Sequence, residues 1–211
     1  MKRTGYLHDN RYLLHDTGPY HPETADRLTA VYNGIKDAGL LDHLTLLSAV
    51  RAEFKWIETV HDPNYIHRFE EVCLSGNRTF DYPDNQMCVD TYETAFLAVG
   101  GVLDVARRIM EGELDNAFCA VRPPGHHAEY NQAMGFCYFN NVAIAARYLQ
   151  TEFGARLARR DPRRFLFVGA TVNVHTGSRN EASPLYRRDL TWAVYAGVIF
   201  AFWQSEEPAP D

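Results

Sequence analysis

The chain lacks the marks of a secreted, membrane-spanning or nucleic-acid-binding protein. Its four cysteines, Cys73, Cys88, Cys119 and Cys137, are scattered and form no CxxC pair. That excludes a zinc ribbon and predicts a reducing, cytoplasmic setting. The N-terminus has no apolar run of the kind a signal peptide needs. The uncharged run at residues 190–203 falls short of the roughly 20 residues that cross a bilayer. Basic residues are outnumbered, 21 to 27, and the net charge is −6. Arg159, Arg160, Arg163 and Arg164 form a short cluster at most, so direct nucleic-acid binding is not expected. Repeats and low-complexity linkers are absent, and no GxSxG is present to support a hydrolytic serine. What remains is a chain of 211 residues, 46% hydrophobic and 23% charged. That balance describes one globular domain with a sizeable core.

Apolar spacing places the elements. From Thr24, Leu28, Val31, Ile35 and Ala38 fall on one helical face, and Gly39 stops it. Asp62-Pro63 is a helix start, with Tyr65, Ile66, Phe69 and Val72 on one face and Gly76 at the end. A long, well-buried helix is expected from Asp90 to about Glu111, ending at Gly112. "AFCAV", residues 117–121, and "RFLFV", residues 164–168, are continuous apolar runs that suit buried parallel strands. Between them a helix runs from Asn140 or Asn141 and stops at Gly154. Strand, helix, strand predicts an α/β fold: a parallel sheet between helices, in three layers, with these two strands adjacent.

The stretch "AVRPPGHHAEYNQAMGFCYFNN" carries the chemistry. His126 and His127 stand side by side just past a strand end, the edge where open α/β sheets bind ligands. Pro123 and Pro124 stiffen the turn, and Gly125 permits a tight backbone. Phe136, Tyr138 and Phe139 can wall a narrow apolar pocket. The plain alternative is one satisfied buried histidine and one exposed histidine.

"RPPGHHA" followed by "GFCYFNN" resembles the histone deacetylase and acetylpolyamine amidohydrolase family, zinc-dependent deacylases of the arginase-like fold. "HPETADRL" from His21 and "VHDPNYI" from Val60 are similar to further segments of that family. The resemblance implies hydrolysis of an acetyl amide on a lysine of a protein or on a polyamine. A zinc ion with an open position would polarise the carbonyl and activate water. It implies His127 as general acid/base and His126 as its electrostatic partner. It implies Gly135 and Phe136 as a tunnel for the acyl-bearing chain, and Arg27 at an inner cavity. For Arg27 a helix-face ion pair is an equal reading, and for Cys137 a small apolar filler is another. Asp81, Asp84 and Asp90 lie where the family has a rim loop, with no choice among them.

The resemblance breaks near the metal strand. In "FVGATVNVHTGS", His175 keeps a zinc-ligand position, while Asn173 stands where a ligand aspartate belongs. Asparagine offers a neutral oxygen and no charge to a cation. Residues 1–155 therefore read as the N-terminal part of a deacetylase-like domain. Residues 156–211 read as a divergent or out-of-frame continuation, with a remnant metal strand at 164–177. The expectation is a truncated, inactive or weakly active deacetylase. A non-catalytic module that binds acyl ligands or a partner is the alternative. A manganese-binding arginase-type hydrolase would need several Asp-rich segments, and none is visible.

Overall fold

The computed structural model describes residues 3–154, 165–170 and 197–202. The chain runs β1 (Thr4–Leu7), a 3-10 turn (Asn10–Leu14), α1 (Asp26–Asp37), β2 (Leu44–Leu47), α2 (Phe54–Ile57) and α3 (Pro63–Leu74). A hairpin of β3 (Thr79–Phe80) and β4 (Tyr82–Gln86) precedes the long α4 (Thr91–Met110). Then follow β5 (Asn116–Cys119), α5 (Asn141–Phe153), β6 (Phe165–Ala170) and β7 (Gly197–Phe202).

The main sheet has the order β2-β1-β5-β7-β6. β1 pairs in parallel with β2 and with β5. Side chains alternate across the sheet. Leu7, Ala117 and Cys119 join the cluster built by α2 to α5 on one face. Tyr6, Phe118 and Ala120 join Leu28 and Tyr32 of α1 on the other. This is the three-layer α/β arrangement that the sequence predicts.

One expectation needs correction. β5 and β6 are not neighbours, because β7 lies between them and is antiparallel to both. Inserted there, β7 pairs its backbone on both edges, which satisfies polar groups that a sheet edge leaves open. The uncharged run at 190–203 thus contains a strand.

The helices start and stop for the expected local reasons. The Asp62 side chain accepts the Asn64 N–H at the head of α3, with proline just inside. Asn140 caps α5 through the Ala143 N–H, and Gly154 ends it in the left-handed region at φ +61°. α4 is buried along almost its whole length. Against it and α3 lies an aromatic cluster. Phe69 stacks on Tyr138 at 4.8 Å and meets Phe139 edge-on at 5.4 Å. Each fully buried large side chain contributes about 1.5–3 kcal/mol. Tyr138 and Phe139 therefore anchor in the core the loop that carries the site. Among the described residues no helix is long and apolar enough to cross a membrane.

Candidate active site

His126 and His127 occupy the two central positions of a turn. The Ala128 N–H donates to the Gly125 carbonyl at 3.1 Å and closes it. Both imidazoles are therefore presented from one corner, exposed, with ring centroids 4.1 Å apart. Partial burial, and then the neighbouring His127, lower the pKa of His126. Gly125 is required by packing. A Cβ there would lie 2.3 Å from the Phe139 carbonyl oxygen and 2.7 Å from the Asn141 nitrogen. The turn thus sits directly on the head of α5, where the Asn140 side chain also donates to the Ala128 carbonyl at 3.1 Å.

A second turn faces the first. Met134 and Cys137 exchange backbone hydrogen bonds of 3.1 and 3.0 Å around Gly135 and Phe136. Gly135 has φ +57°, and a Cβ on it would come within 2.9 Å of the His127 ring. So His127 packs on the bare face of Gly135, and Phe136 follows beside it. The Phe136 ring meets the His21 ring edge-on at 4.6 Å. The structure therefore brings His126, His127, Gly135 and Phe136 together.

The frame behind the turns escaped sequence reasoning. Arg122, immediately before the prolines, is 2% exposed and forks onto Glu23, which is also 2% exposed. Its Nε and Nη2 reach the two carboxylate oxygens at 2.6 and 2.8 Å. Nη1 donates to the Tyr12 carbonyl at 3.2 Å. His15 lies 3.5 Å from the same carboxylate and bonds Thr91 Oγ1 through Nδ1 at 2.9 Å. Burial, with Arg122 nearby, holds His15 well below the usual imidazole pKa. Buried His61 donates from Nδ1 to the Tyr130 carbonyl at 3.3 Å and accepts the Asn140 N–H at Nε2 at 2.9 Å. It bridges the two ends of the loop that bears the second turn, and burial lowers its pKa. A charged residue at the end of an apolar strand was the one sequence signal for Arg122.

Other expected residues sort themselves. Arg27 lies 3.9 Å from Glu23 and lines a cleft with Phe118, Val121 and Pro124. The ion pair is the helix-face contact that is one of the two readings of Arg27. Cys137 is fully buried, its Sγ donates to the Gly135 carbonyl, and burial pushes its thiol up to about 12. It is a filler. Asp81 is taken up by Arg68 at 2.6 Å and the Ala133 N–H at 2.7 Å. Asp90 stands at the head of α4. Asp84 keeps an exposed carboxylate on the rim while its carbonyl accepts from His21 Nε2 at 2.9 Å. His175 and Asn173 lie outside the described residues. Among the described residues no group of three or more His, Cys, Asp or Glu side chains fits a metal ion.

Residues 21–159, well over half of the chain, match the family model of the histone deacetylase domain. "Histone deacetylase 5" of Arabidopsis thaliana is 36% identical over 163 residues, covering 72% of this chain and 24% of that protein. A "Probable deacetylase" of Archaeoglobus fulgidus is 33% identical over 157 residues, covering 74% of this chain and 43% of the relative. "Polyamine deacetylase HDAC10" of Mus musculus is 33% identical over 153 residues, 67% of this chain and 22% of that protein. The crystal structure of the HDA15 HD domain superposes with a TM-score of 0.66 at 31% identity, covering 70% of this chain and 43% of that one. The chain spans less than half the length of these relatives, and it belongs to the histone deacetylase domain family.

Proposed function

We propose that the chain carries the acid–base and channel half of a deacylase site acting on acetylated lysine or an acetylated polyamine. The observation that carries this reading is the pair of facing turns. One presents two imidazoles in contact, and the other presents a phenylalanine ring beside them. In amide hydrolysis His127 would take the proton of the attacking water and return it to the leaving amine. His126 acts on that proton electrostatically, since two rings at 4.1 Å do not readily carry charge together. Phe136 grips the aliphatic stem of the substrate, and the Asp84 carboxylate accepts from its backbone or amine. Zinc is the family's expected metal. Asn173 in a ligand position brings it no charge, so metal is held weakly and turnover is low. A cytoplasmic setting belongs to the same proposal, because all four cysteines are free and buried.

The second reading is an acyl-binding module without catalysis. The neutral Asn173 favours it, while the intact histidine turn favours the enzyme. The experiment is to load the purified chain with zinc, measure bound metal, and assay acetyl-lysine peptides and acetylpolyamines. Turnover that His127→Ala abolishes establishes the deacylase. Saturable binding of acetyl-lysine with no turnover establishes the module, and neither binding nor turnover refutes both.

A further inference from the structure

Phe136 adopts a backbone conformation that an L side chain rarely takes, φ +69°. Gly135 beside it is also positive, at φ +57°. A two-residue turn with both central φ values positive favours asparagine and glycine, and phenylalanine is out of place in it. Such strain persists only where the surroundings over-determine the residue.

Asn85 supplies that constraint. Its residue is fully buried, at 0% exposure. Its Oδ1 accepts the Phe136 N–H at 2.8 Å. Its Nδ2 donates to the Phe80 carbonyl at 3.2 Å, which fixes the end of the amide that faces the turn. The ring of Phe136 is then met by His21. That imidazole is itself locked, donating from Nε2 to the Asp84 carbonyl and accepting the Glu23 N–H at Nδ1, at 2.9 and 3.1 Å. Both Asn85 and Asp84 belong to β4, so one short hairpin sets the Phe136 backbone and the neighbour of its ring.

We propose that Asn85 is the positioning residue for Phe136. It holds the strained turn so that the aromatic ring stands against His21 and walls the acyl-chain channel. Asn85 acts through the Phe136 N–H and is not a catalytic residue. Its functional meaning rests on reading Phe136 as the channel wall.

The test uses NMR on the full chain with labelled phenylalanine, beside turnover of an acetyl-lysine peptide by zinc-loaded protein. The unmodified chain shows a Phe136–His21 ring contact and a slowly exchanging Phe136 amide. Asn85→Ala removes the ring contact and speeds that amide's exchange about 10-fold or more. The signals of Phe69 and Phe96 stay in place. Asn85→Asp keeps an acceptor for the Phe136 N–H but loses the donor to the Phe80 carbonyl, so it recovers both readouts in part. Where turnover is measurable, Asn85→Ala raises KM about 10-fold and leaves kcat unchanged, since a misplaced binding group acts that way. An unaltered ring contact and slow exchange in Asn85→Ala overturn the proposal. So does fast exchange of the Phe136 amide in the unmodified chain, which needs no variant that folds. Ring signals that respond as expected in a chain without binding or turnover refute the deacylase reading and leave the positioning intact.

Discussion

The two turns of the site are built on opposite principles. The histidine turn has no positive φ at its two central residues, and its two side chains are exposed. The phenylalanine turn carries positive φ at both central residues, and its ring and N–H are fixed by His21 and Asn85. The two imidazoles keep access to water, with no side-chain hydrogen bond to either among the described residues and with the packing of His127 on Gly135 beside the backbone turn. The Phe136 ring is held through backbone and side chain together. On the proposed reading, stiffness would lie where geometry selects a substrate, and freedom where protonation must change.

The largest expected effect comes from a change that strikes both turns at once. Arg122 leads into the histidine turn, and Glu23 lies two residues beyond His21, which backs the phenylalanine. Arg122→Met would strand a buried carboxylate and cost about 3–5 kcal/mol in urea unfolding. Adding Glu23→Leu should recover most of that loss. A single change that is neutral would mean the pair does not tie the two turns together. Next in size is His127→Ala. Residual turnover should fall by about 10²–10⁴-fold, as for a lost acid/base group. Stability should change by no more than about 0.5 kcal/mol, because the ring is exposed. A large loss of stability there would show that the histidine turn is as constrained as its neighbour. Smaller still is Phe136→Gly. Relief of the left-handed strain offsets the lost ring contact, so the net change should stay under about 1 kcal/mol. KM should rise with kcat held, and an unchanged KM would remove Phe136 from the channel.

Local rules made much of this legible. Helices α3, α4 and α5 announce themselves through Asp62-Pro63, Asp90 and Asn140, and β5 through its apolar run. The histidine turn and Gly135-Phe136 stood out because they are contiguous. β1 and β2 did not stand out, because TGYL and LTLL are too short to show a period and neither is a continuous apolar run like the one that marks β5. The Arg122–Glu23 pair spans 99 positions, and Asn85 reaches Phe136 across 51. Contacts of that range leave no local pattern. The place of β7 between β5 and β6 was hidden for the same reason, since strand order is a property of pairing and not of composition.

The smallest effect is a pH dependence that sharpens the comparison. His15 and His61 are buried behind the turns, and burial lowers both pKa values from the ordinary 6.5. His61 shows why charge is unwelcome. Its Nε2 accepts the Asn140 N–H, and a proton there would set two donors against each other. In the unfolded chain both rings protonate near 6.5, while in the folded chain they resist. Below that pH the unfolded state binds more protons, so stability falls as pH drops and is full above it. Asp9, held down to about 2 by Arg11, contributes only below the ordinary carboxylate value of 3.8, so the window between about 5 and 6.5 belongs to histidines. His8 and His126 are lowered in the same direction, chiefly by partial burial, and add to the same fall. Thermal melts from about pH 8 to about pH 5 should therefore show a falling midpoint, and His61→Asn should flatten the fall while lowering the starting value. A midpoint that is level across this range, or a slope unchanged in His61→Asn, would show that the frame behind the turns tolerates charge as readily as the turn in front.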